Sequence, residues 1–200
     1  MPPRKKQDPW FKAEKAAIVK IDAARSAMQW EKLATALEEL CRARQACSNA
    51  AHNGKKVQVI ESMECADSIR SGGRLLVRPP LVGRDASLIE HALKNKGYSV
   101  IVLCREPVTK LGLCPIVSLG SGVTVRTQVE EPENPEKPSC GWFDGVVQEF
   151  GAYVVGRIDE NATHQRQLDN LLVHLSAIPS HGEAYRIAMK LCGALARDCV

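Results

Sequence analysis

Residues 74–104 read RLLVRPPLVGRDASLIEHALKNKGYSVIVLC, and this stretch decides the fold class. Arg74–Arg78 has the apolar middle of a short strand, and Pro79-Pro80 stops it because proline cannot donate to a ladder. Asp85 or Ser87 can cap a helix running to about Lys96, with Leu88, Ile89, Ala92 and Leu93 facing a core. Gly97 ends that helix, since glycine tolerates the left-handed conformation found after a last turn. Tyr98–Cys104 follows as a strongly β-branched strand. Strand, helix and strand within ~30 residues is the size of a crossover unit. The body of the chain is therefore expected to be mixed.

Downstream, 113–119 and 123–129 alternate as two strands around Gly120-Ser121-Gly122, whose glycines permit a tight hairpin turn. Residues 130–138, EEPENPEKP, form an acidic loop with polyproline character. Gly141–Val155 fits helix and strand equally. A helix is expected from Glu160 to Ala177, with Leu168, Leu171, Leu172 and Leu175 inward and Pro179 as its stop. Ser180-His181-Gly182-Glu183 has the spacing of a capping box. It opens a last helix that turns Tyr185, Ala188, Leu191 and Leu195 to one side.

Upstream, no proline occurs between Pro9 and Pro79, and Gly54 is the only glycine before Ser71. That absence leaves residues 10–52 free to be helical, either unbroken or as a hairpin broken near Ser26–Gln29. Ile18, Ile21, Arg25 and Met28 share one face, and Trp30, Leu33, Leu37 and Leu40 continue the stripe. Asn53-Gly54 should stop the helix in a left-handed turn, and a shorter helix is expected over Lys55–Arg70. The predicted organisation is a flexible basic tail (1–9), a helical arm (10–71) and an α/β body (72–200). The fold class is α+β, with a helical arm, a small mixed sheet with one crossover helix and a hairpin, and two C-terminal helices.

Charge points to a polyanion partner. Residues 1–60 carry twelve Lys/Arg against six Asp/Glu, whereas 61–200 carry fifteen against seventeen. Positive charge thus gathers on the arm, where phosphate contacts need no strict geometry. The candidate nucleic-acid contacts are Arg4, Lys5 and Lys6 on the tail, and Lys12, Lys15 and Lys20 on the first helix. Arg42, Arg44, Lys55 and Lys56 follow around Gly54, with Arg74 and Arg78 on the body. An arm with so wide an apolar stripe needs a partner, so Trp30, Leu33, Leu37 and Leu40 are assigned to a homo-oligomer interface. No run reaches the roughly 18 apolar residues of a membrane helix, and no secretory signal follows Met1. A cytoplasmic or nuclear protein with reduced cysteines is expected.

Two short resemblances bear on function. Ser139-Cys140-Gly141-Trp142 places a cysteine and a tryptophan at a possible helix start, which is similar to the nucleophile region of papain-like and viral leader proteases. The resemblance implies a Cys140 nucleophile with His164, His174 or His181 as base, although a glycine separates Cys140 from Trp142. Arg157-Ile158-Asp159-Glu160 with Asn170–Leu175 resembles the RNA-facing helix of tobamovirus-type coat proteins. That resemblance implies that Arg157 lies near RNA. No cysteine pair has metal-ligand spacing, and Gly120-Ser121-Gly122 lacks the spacing of a phosphate-binding loop, so neither metal nor cofactor is expected. The leading expectation is a non-enzymatic RNA-binding, self-associating protein of viral structural or nucleocapsid type. A thiol hydrolase and a coiled-coil adaptor are the alternatives.

Overall fold

In chain order the computed structural model runs α1 (Pro9–Ser26), α2 (Trp30–His52), β1 (Val57–Ile60), α3 (Met63–Asp67), β2 (Gly73–Val77) and α4 (Gly83–Asn95). It continues with β3 (Val100–Arg105), β4 (Cys114–Gly120), β5 (Val123–Val129), α5 (Cys140–Val155), α6 (His164–His174) and α7 (Gly182–Asp198). Residues 9–107 and 114–198 are described; Arg4, Lys5, Lys6 and nearly all of the expected tail lie outside them.

The class is α+β, as the sequence implies. One five-stranded sheet has the order β1-β2-β3-β4-β5, parallel through β3 and antiparallel from β3 to β5. The crossover unit of residues 74–104 is present as β2-α4-β3, and Gly97 (φ 83°) and Gly122 (φ 75°) occupy their expected left-handed turns. Strand alternation sorts side chains onto two faces. Val57, Leu76, Leu103, Ile116 and Val125 face a large core shared with α1, α2, α5, α6 and α7. Leu75, Val77, Val102 and Val117 pack instead with Ile89 and Leu93 of α4 and Ala66 of α3.

The expected helix over Lys55–Arg70 is not formed. Val57-Gln58-Val59-Ile60 is strand β1, paired in parallel with β2 from Val57↔Arg74 to Ile60↔Val77, and only Met63–Asp67 is helical. Two valines and an isoleucine beside an available edge favour the sheet over a lone turn of helix. The arm is correspondingly no free arm. Helix α2 lies in the main core, so Trp30, Leu33, Leu37 and Leu40 are buried within the chain and offer a second copy nothing to bind. Their partners are α1, packed as the other half of a hairpin, and α7.

Local corrections follow the same logic. Ile18 and Met28 are exposed while Ala17, Ile21 and Ala24 are buried, which rotates the α1 stripe by one position. Met28 sits at φ 53°, and the Gln29 N–H reaches back to the Ala24 carbonyl (2.9 Å), which closes the hairpin break. Helix α2 does stop at His52, but Asn53 keeps right-handed angles (φ −66°). Helix α4 starts earlier than expected, at Gly83, where the Asp85 carboxylate accepts from the Val82 N–H (2.9 Å). The ambiguous segment is helix α5, with the Ser139 hydroxyl accepting from the Trp142 N–H (3.1 Å). The helix expected from Glu160 begins only at His164, capped by Thr163.

Candidate functional site

Three of the candidate arginines turn inward. Arg44, Arg74 and Arg78 have side chains only 10%, 7% and 11% exposed, so they are not phosphate contacts. Arg44 donates to Glu14 (2.8 Å), the Leu175 carbonyl (2.7 Å) and the Tyr185 hydroxyl (2.8 Å), stitching α1 and α2 to the C-terminal helices. Arg74 lays its fork on Asp144 (2.7 Å twice) and donates to the His52 and Gly54 carbonyls (3.1 and 2.8 Å). Arg78 bridges Glu61 and Glu136 and donates to the Pro135 carbonyl (3.1 Å), which fastens the acidic loop to the sheet. A guanidinium presents five donors in a plane, so it can satisfy several carbonyls and a carboxylate at once. Buried arginine is explained by that capacity.

The lysines behave otherwise. Lys12, Lys15, Lys55 and Lys56 are exposed, and Lys15 stands 4.7 Å from the Phe11 ring centroid. Lys20 pairs with Glu39 (2.6 Å) and Arg42 with Glu38 (3.4 Å) on open surface. Such exposed pairs contribute about 0–1 kcal/mol and yield readily to a phosphate. The described candidate contacts that stay exposed are therefore Lys12, Lys15 and Lys20 on α1, Arg42 on α2, and Lys55 and Lys56 just before β1.

Cys140 occupies the first position of α5, but the histidines expected to serve it are engaged elsewhere. His174 Nδ1 donates to the Asn170 carbonyl (2.8 Å), and His164 lies 3.4 Å from Asp198. His181 packs over Gly151, where an added Cβ would overlap its ring, and burial pushes its imidazole down. Among the described residues no histidine hydrogen-bonds Cys140. One turn along α5, Asp144 collects the polar contacts instead, facing both Arg74 and the Nε2 of His52 (3.1 Å). Burial would raise the Asp144 carboxyl, but Arg74 and His52 outweigh it and hold the group below the usual range. This cluster ties α2, β2 and α5 together.

The cavities decide between interior and surface chemistry. A cavity of about 50 Å³ lies where β3 and β4 diverge, bordered by Glu14, Arg44, Glu90, Lys94 and His181. It holds a water or two, far below the roughly 300 Å³ of a small-molecule site. Among the described residues no three His, Cys, Asp or Glu side chains gather as metal ligands. A larger depression of about 460 Å³ opens beside β5, the last strand of the sheet among the described residues, lined by Thr124, Val125, Arg126, Tyr153, Val154, Arg157, Asn170 and His174. Tyr153 is 40% exposed, and Arg157 hydrogen-bonds its hydroxyl (2.8 Å) with the guanidinium 5.3 Å from the ring centroid. Arg126 projects beside them and makes a two-point pair with Glu106 (2.8 and 2.7 Å). The lining includes two arginines, a histidine and an asparagine, and the Glu106 carboxylate borders it through Arg126.

Sequence reasoning reached Arg157 and Asn170 only through a resemblance and missed Arg126 and Tyr153. The i, i+4 spacing of Tyr153 and Arg157 on a helix was the available signal. Compared with known proteins, the chain matches no protein-family model, no curated protein and no solved structure.

Proposed function

We propose that the protein is a non-enzymatic RNA-associating protein that receives single-stranded RNA in the Tyr153–Arg157 depression. The observation that carries this reading is a half-exposed tyrosine ring bearing a guanidinium within a concave rim that also holds Arg126, Asn170 and His174. A base stacks on an aromatic face with little regard to sequence, and arginine adds both a stacking plane and a phosphate contact. Asn170 and His174 supply hydrogen-bonding groups for a base edge. Lys12, Lys15, Lys55 and Lys56 contribute diffuse attraction rather than a defined site. Among the described residues no helix is long and apolar enough to cross a membrane; the setting proposed with this function is the cytosol or nucleus, where cysteines stay reduced.

The test is fluorescence anisotropy of a labelled single-stranded RNA of about 10 nucleotides, titrated at several salt concentrations. Tyr153→Ala is expected to weaken binding by about 1–3 kcal/mol, roughly 5- to 150-fold in Kd. Arg157→Glu is expected to weaken it further and to flatten the salt dependence. Equal affinity for wild type and both variants would overturn the assignment of this depression.

A further inference from the structure

The outer edge of β1 is the second unexplained surface. Alternate residues of a strand point their backbone groups to opposite sides. The Arg78 N–H donates to the Ile60 carbonyl (3.0 Å), so Ile60 and Gln58 bond toward β2. Val57 and Val59 consequently direct their N–H and C=O groups away from the sheet, where β1 has no neighbour among the described residues. Unpaired edges are commonly covered by a loop or helix, or blunted by charge within the strand. Here neither is done. The strand VQVI is uncharged, and its edge forms the floor of an open groove of about 560 Å³. Ile69 and Ser68 stand on one side of it and Pro138 and Cys140 on the other.

We propose that this groove takes a short, extended, acidic peptide from another protein, which adds to β1 as a sixth strand. The flanking walls argue for a single strand, because they would obstruct the helices that accompany a second copy's sheet. Charge argues for acidity. Lys55, Lys56 and Lys137 line the groove, whereas its one carboxylate, Glu136, is already held by Arg78. Main-chain pairing supplies affinity in such strand addition, and the flanking side chains select the sequence. The lysines that attract polyanions in a diffuse way thereby gain a specific use.

The probe is a fluorescein-labelled peptide of alternating Glu and Val, with a Lys/Val peptide as control, read by anisotropy with the full chain. The Glu/Val peptide is expected to bind and the control to fail. Val59→Pro removes one outward N–H while leaving the bonds to β2 intact, a position where an edge strand accepts proline. It is expected to raise the Kd up to about tenfold, the worth of one backbone hydrogen bond. Its circular dichroism and melting temperature report whether the fold is kept. Lys55→Glu with Lys56→Glu is an independent variant, expected to abolish binding without touching the ladder. Binding unaffected by either variant, or no binding of the Glu/Val peptide, would refute the proposal. So would RNA competing for the groove with an affinity that the lysine variant destroys and Val59→Pro leaves unchanged.

Discussion

Arg44 and Arg74 show how a cation that suggests a ligand in one dimension becomes a structural tie in three. Arg74 is buried against a carboxylate and two helix-end carbonyls, so Arg74→Met strands both carbonyls and leaves Asp144 with His52 alone. Removing one partner of a buried pair costs about 3–5 kcal/mol, and the one-third exposure of Asp144 brings this to about 2–4 kcal/mol. Thermal unfolding measures it. The same pair has a pH signature. Because the folded Asp144 carboxyl is depressed, its contribution is complete above the ordinary carboxylate value near ~4 and is lost as pH falls through the folded value. Arg74→Met should therefore lose less stability than wild type between about pH 5 and pH 2. Thiols give a second residue-scale expectation. Burial pushes Cys47, Cys104 and Cys192 up to about 11, whereas Cys65 is exposed. Iodoacetamide at pH 8 should alkylate Cys65 in the native protein and reach those three only on denaturation, as peptide mass mapping would show.

At the level of elements, the turns carry the clearest consequences. Met28 adopts a left-handed conformation and is 68% exposed, so glycine there loses little packing and relieves the Cβ clash. Met28→Gly is expected to stabilise the α1–α2 hairpin by about 0.5–1 kcal/mol, seen as a rise in Tm. Gly151 tests the opposite case. Its replacement by alanine drives a methyl group into the His181 ring between α5 and α7 and should cost about 1–3 kcal/mol. The β2-α4-β3 unit and the hairpin were legible because turn glycines, β-branched runs and helical spacing agreed. Helix α5 and strand β1 were harder to read for opposite reasons. Residues 140–155 are apolar enough to suit either state, and VQVI is too short to overrule the helical pattern around it. What decided both was the neighbouring strand or helix, which local sequence does not contain.

Across the whole molecule, the front helices and the sheet share one core. Leu33 and Leu37 have no exposed surface, so Leu37→Ala should cost about 2–5 kcal/mol in unfolding experiments as an ordinary core truncation. The charge asymmetry of the first 60 residues was read correctly as charge, but not as a surface, since Arg44 faces inward. The Tyr153 depression was hidden because β5, α5 and α6 meet only after folding, and their residues are spread over Thr124 to His174. The most direct test of its role is photocrosslinking of the full chain to single-stranded RNA carrying 4-thiouridine, with the modified peptides mapped by mass spectrometry. Adducts at Tyr153 and on adjoining peptides of β5 and α6, suppressed by unlabelled RNA, are expected. Adducts confined to the Lys12–Lys20 and Lys55–Lys56 segments, or none that unlabelled RNA suppresses, would contradict it.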